Sequence, residues 1–175
     1  IAEEIVRFYG YNNIEDTLLS GKAATLGKKT FKQSIEDLIK NTMIACGLSE
    51  TYTYSITSPK VFDKLNLPAD SELRKAVVIS NPLGEDYSVM RTTTIPDMLE
   101  VISTNYNRRI EGVSLFEMSY VYIPKSLPLS ELPYEKPVLT LGMYGGVDFY
   151  DLKGVVEELM AKLGIEDYDI SPEKN

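Results

Sequence analysis

Apolar residues recur at helical spacing in some stretches of the chain and alternate in others, and this contrast divides it into helices and strands. Phe31, Ile35, Leu38, Ile39 and Met43 follow the helical period. Thr30 stands at the cap position and Gly47 at the stop, so a helix is predicted over Phe31 to Cys46. Ile95, Met98, Leu99 and Ile102 mark another, headed by Thr94-Ile95-Pro96-Asp97, the Asp form of a capping box. Asp148 and Asp151 serve the start of a helix running to Leu163 and stopped by Gly164. Ile1 to Tyr9 reads as the tail of an amphipathic helix ending at Gly10, and Ser58-Pro59 opens a short helix to about Leu65.

Strand composition marks residues 51–57, 76–80, 88–92 and 138–144. The longest such run, Val113 to Ile123, is too apolar on both faces for a sheet edge. One face carries Val113, Leu115, Glu117, Ser119 and Val121, the other Phe116, Met118, Tyr120 and Tyr122, which predicts a central strand. Asn81 to Gly84 reads as a turn, Pro124 to Pro137 as a proline-rich loop, Tyr11 to Lys29 as a linker or extended arm, and Tyr168 to Ile170 as the start of a strand. Strands and helices do not alternate regularly. The expected class is therefore α+β, a mostly antiparallel sheet flanked by helices.

Composition narrows the chemistry. The chain has 175 residues, 43% hydrophobic and 25% charged, enough for one domain with an appendage and a core that needs no staples. It contains no histidine, which removes Ser-His-Asp and Cys-His relays and His-bound metals. The single cysteine, Cys46, excludes an internal disulfide and a cysteine-based zinc site, and reads as a small core residue. Lys and Arg number 18 against 26 Asp and Glu, a net charge of −8, which argues against a free-standing nucleic-acid binder. Lys28, Lys29 and Lys32, and the pair Arg108 and Arg109, read as solvated charges. No apolar run approaches the ~20 residues of a membrane helix, and no signal peptide is present. A start at Ile1, inside a helix, reads as a fragment of a longer protein.

Four features carry candidate chemistry. Gly21 to Lys29 departs from a phosphate-binding loop by one residue too many and by Lys29 where a hydroxyl is needed. Glu3 and Glu4 form an acidic pair that reads as a solvated helix face, too few oxygens for a hard metal. Arg91 and Glu117 both fall on apolar strands, which predicts a structural ion pair inside the sheet, with substrate contact by Glu117 as the competing view. Twelve tyrosines against five phenylalanines and no tryptophan fit a partner surface.

Five blocks then fall in one order: IAEEIVRFYGYNNI at 1–14, ETYTYSI at 50–56, NPLGEDYSVMRTTTIPDML at 81–99, LFEMSYVY at 115–122 and DFYDLKGVVEELM at 148–160. Together they resemble part of the bacterial phenylalanyl-tRNA synthetase β subunit family. The resemblance implies a class II aminoacyl-tRNA synthetase-like core that has lost catalysis. Residues 1–14 would end a preceding small helical domain, 15–29 form a linker, and 30–175 form the core, incomplete at its C-terminus. The implied partner is a catalytic α subunit in an α2β2 heterotetramer that ligates phenylalanine to tRNA(Phe) in the cytoplasm, using ATP and magnesium. Glu3 and Glu4 align with half of a magnesium site whose two aspartates would precede Ile1, so that site is expected to stay empty here. The resemblance retains Arg91-Thr92 but has Ser119 and Tyr120 where an ATP-binding arginine is expected, which implies no catalytic or cofactor-binding residue and an inactive fragment. The helix from Phe31 to Cys46 sits where such folds place a dimer-forming helix. The alternatives are a divergent amino-acid-activating ligase using Arg91 and Glu117, and a tRNA-contacting module.

Overall fold

The computed structural model of the chain describes residues 1–18, 20–21 and 26–172. They divide into two units, Ile1–Thr30 and Phe31–Asn175. The first holds α1 (Ala2–Tyr9) and a single 3-10 turn over Tyr11–Asn13. Gly10 ends α1 at φ +97°, a backbone region that glycine enters freely, and its N–H donates to the Val6 carbonyl at 2.8 Å.

The second unit contains, in chain order, α2 (Phe31–Ala45), β1 (Ser49–Glu50), β2 (Ile56–Thr57), α3 (Val61–Lys64), β3 (Val89–Met90), α4 (Ile95–Asn107), β4 (Val113–Ile123), β5 (Tyr134–Tyr144) and α5 (Phe149–Leu163). β4 is central, as its two apolar faces predict. β5 pairs antiparallel along its full length, from Val113 opposite Tyr144 to Ile123 opposite Tyr134. β1 pairs on the other side in parallel, Ser49 with Leu115 and Glu50 with Phe116, so the main sheet is mixed rather than simply antiparallel. A parallel neighbour needs a long crossover, and the chain from β2 through α4 supplies it. β5 begins at Tyr134, four residues before the predicted start. Pro137 is tolerated there because β5 is an edge strand.

The two faces of this sheet are covered differently. On one, Phe116 with Leu139, Leu141 and Met143 meets Ile39, Met43 and Cys46 of the α2 region and Val155, Leu159 and Leu163 of α5. Phe116 and Met43 are fully buried, and Cys46 packs against this core as expected. The other face lies beneath α4. Gly142 sits so close that a Cβ there would come within 2.7 Å of Met98 Cγ and Ile102 Cδ1. A smaller core gathers Val61, Phe62, Ala76 and Val89.

Several predicted elements are shorter than their composition indicates. The run 51–57 is not one strand. It breaks between β1 and β2, which belong to different sheets. Residues 76–80 make a single bridge, Val78 to Val89, beside the two-stranded β2–β3 pair, and the run 88–92 contracts to β3. The helix expected over 58–65 contracts to α3, with Ser58 Oγ accepting the Lys60 N–H at 3.3 Å. At α5 the capping box forms in full. Asp148 accepts from the N–H groups of Tyr150 at 2.7 Å and Asp151 at 3.2 Å, and Asp151 accepts from the Asp148 N–H at 2.8 Å. At α4 it does not form. Thr94 makes no side-chain cap; its hydroxyl meets that of Thr140 on β5, and Asp97 turns inward to Arg91.

Candidate functional site

Strand alternation sends Glu117 to the α4 side of β4 while its neighbour Phe116 enters the apolar core. Arg91 reaches the same point from the segment after β3. Its N–H donates to the Ser55 carbonyl at 3.0 Å, and its carbonyl accepts the Tyr122 N–H at 2.9 Å. Both side chains are sealed, at 2% and 1% exposure. The expected pair is present, with Arg91 Nη1 3.2 Å from Glu117 Oε1.

The pair is part of a larger cluster. Arg91 Nε donates to the Tyr120 carbonyl at 2.9 Å, and Nη1 also reaches Thr53 Oγ1 at 2.7 Å and Asp97 Oδ2 at 3.3 Å. The Thr53 hydroxyl lies 2.8 Å from each Glu117 oxygen, and its N–H donates to Oε1 at 3.3 Å. That last bond explains the broken strand: a carboxylate takes the donor that a ladder carbonyl would otherwise take. Asp97 was legible only as a cap. The missed signal is its position six residues beyond a buried arginine, across a tight strand-to-helix turn.

One guanidinium thus faces two carboxylates. Burial pushes the Asp97 carboxyl up to about 6 from an ordinary 3.8. Arg91 pulls it back through hydrogen bonding and charge, and the charges of Glu117 and Glu100 raise it further. Asp97 and Thr53 also line a cavity of about 560 Å³, whose wall includes Tyr52, Tyr54, Tyr87 and Glu100.

The side chains of the other sequence candidates lie apart from this cluster, which Tyr120 joins only through its carbonyl. Ser119 Oγ is buried with no hydrogen-bond partner. The Tyr120 hydroxyl is 2.8 Å from Lys32 Nζ, which stands 5.1 Å above the ring centroid; this contact holds the Lys32 ammonium above its usual range. Glu3 and Glu4 occupy the first exposed turn of α1, and Glu4 Oε2 is taken by Arg7 at 2.8 and 3.1 Å. Among the described residues no three carboxylate, imidazole or thiol side chains gather, so these two glutamates alone do not fit a magnesium ion. Lys22 to Thr25 of the glycine-flanked loop lie outside the described residues.

Comparison with known proteins bears on this geometry. The family described as phenylalanyl tRNA synthetase beta chain CLM domain matches residues 14–175. The phenylalanine–tRNA ligase β subunit of Clostridium acetobutylicum is 48% identical over 165 residues, covering 94% of this chain and 21% of the relative. That of Clostridium tetani is 49% identical over 166 residues, covering 95% and 21%. The chain therefore spans about a fifth of the length of these relatives. Two structures of a pyrrolysyl-tRNA synthetase from Desulfitobacterium hafniense share the fold. One has a TM-score of 0.63 at 15% identity, covering 83% of this chain and 49% of that one; the other has 0.65 at 16%, covering 81% and 50%. With the family match extending over nearly all of its length, the chain belongs to the phenylalanyl-tRNA synthetase β chain family, in the part described as its CLM domain.

Proposed function

We propose that this chain is a non-catalytic structural core, class II synthetase-like in architecture, that pairs with a catalytic α subunit and supports ATP-dependent ligation of phenylalanine to tRNA(Phe). The observation that carries this reading is the fate of Arg91. Its guanidinium is 2% exposed and its bonds run inward, to Tyr120, Thr53, Asp97 and Glu117. Phosphate binding in such a site draws on a positioned guanidinium, and one already engaged this way has none to offer. Ser119 and Tyr120 supply no substitute.

The assembly is an α2β2 heterotetramer in the cytoplasm, with ATP and magnesium acting in the intact enzyme. Residues 1–14 close a preceding helical domain, 15–29 link it to the core, and α2 is the interface helix. Glu3 and Glu4 serve as two ligands of a magnesium site completed by other residues of the intact subunit. No step of the ligation is assigned to this chain.

ATP–pyrophosphate exchange with phenylalanine tests the reading. The isolated chain is expected to give no exchange above background and to co-purify with an α subunit. Robust exchange, or ATP binding at micromolar concentration, would favour a divergent activating ligase and overturn the structural role.

A further inference from the structure

Asp97 stands between two environments. On one side its carboxylate meets Arg91 within a cluster whose other ionic members are sealed; on the other it lines the 560 Å³ cavity. Its side chain is 13% exposed, so protons reach it while Arg91 and Glu117 stay dry.

We propose that Arg91, Asp97, Glu117 and Thr53 form a proton-operated latch between the first turn of α4 and strand β4. With Asp97 ionised, three acceptors share Arg91 Nη1: Asp97 Oδ2 at 3.3 Å, Glu117 Oε1 at 3.2 Å and Thr53 Oγ1 at 2.7 Å. Protonation removes Asp97 from that competition, and the contacts of Arg91 with Glu117 and Thr53 tighten. The effect reaches the cavity wall, because Thr53 is tied to Glu117 through both its N–H and its hydroxyl, and Tyr52 and Tyr54 flank it. This latch is independent of the structural role proposed above.

The surroundings favour the proton. Arg91 faces Asp97 from the segment after β3, Glu117 from β4 and Glu100 from the same helix. Across the cavity stand Lys64 of α3, Asp86 and Tyr87 of a 3-10 turn, and Tyr52 and Tyr54. The carboxyl is pushed up to about 6, burial being the main cause. A folded value above the unfolded one means the folded chain holds more protons between the two. Protonation of Asp97 therefore adds stability that is complete below about pH 4 and is lost as pH rises through about 6, the range over which the Arg91–Asp97 tie forms.

Carboxyl and guanidinium NMR of the chain between about pH 4 and pH 8 tests this. The Asp97 carboxyl is expected to titrate near pH 6, with the Thr53 amide and Arg91 Nε signals following the same midpoint. In Asp97→Asn those two signals become flat across the window. An Asp97 midpoint near 4 would overturn the latch, as would Thr53 and Arg91 signals that titrate unchanged in Asp97→Asn. The wild-type titration decides alone if that variant fails to fold.

Discussion

Phe116 and Glu117 are neighbours on β4, both at most 1% exposed, and they are held by opposite physics. Phe116 enters a dry core between α2 and α5, where any apolar group of similar volume serves. Glu117 enters a cluster in which each partner is required by another: Arg91 by two carboxylates, Thr53 by Glu117, and Asp97 by Arg91. An apolar face tolerates exchange and loses stability in proportion to volume. An ionic face loses most when one member goes, because the remaining charges stay buried.

Removing the cation tests that contrast most severely. Arg91→Ala leaves Glu117 and Asp97 buried without a counter-charge, and the expected destabilisation is about 4–5 kcal/mol at neutral pH. Phe116→Ala opens a cavity and is expected to cost about 3–4 kcal/mol. Denaturant unfolding at two pH values separates them. The Arg91→Ala loss shrinks in acid, where the stranded Asp97 carboxylate takes up a proton, while the Phe116→Ala loss stays constant. Equal pH dependence of the two losses would erase the distinction between the faces.

Much of this difference was readable in the sequence. Alternation along residues 113–123 put Phe116 and Glu117 on opposite faces, and the apolar setting of both Arg91 and Glu117 called for a pair. The rest required three dimensions. Asp97 satisfied a capping pattern well enough to hide its inward turn, and the same misreading covered Thr94. The tyrosine-rich run 51–57 has strand propensity throughout, but propensity is blind to a carboxylate from β4 taking the place of a ladder carbonyl. The parallel pairing of β1 rests on two residues, too few to carry a pattern. The cavity draws its wall from several separate segments and has no signature in any one of them.

A milder probe asks how tightly α4 closes over the ionic face. Gly142→Ala places a Cβ within 2.7 Å of Met98 Cγ and Ile102 Cδ1. Both are side-chain atoms that must shift, and Met98 is buried at 3% exposure, so the expected cost is about 1–3 kcal/mol, read as a lower thermal midpoint. Trimming Ile102 to Ala in the same chain should make the added methyl less costly. A penalty that does not change would mean that α4 itself has shifted.

The smallest effect separates the helices that cover the two faces. α5, over the apolar face, is capped by its own residues through Asp148 and Asp151. At α4, over the ionic face, Thr94 and Asp97 are committed to Thr140 and Arg91 instead. Asp148→Ala should therefore act locally, costing about 1 kcal/mol and speeding amide exchange at Tyr150 and Asp151, whose N–H groups lose their acceptor. Thr94→Ala should cost a similar amount by another route. It leaves Thr140 without its partner and loosens α4 against β5, with no selective fraying of the first turn. If Thr94→Ala frays α4 as Asp148→Ala frays α5, then Thr94 caps its helix in solution and the two faces are built more alike than their side chains indicate.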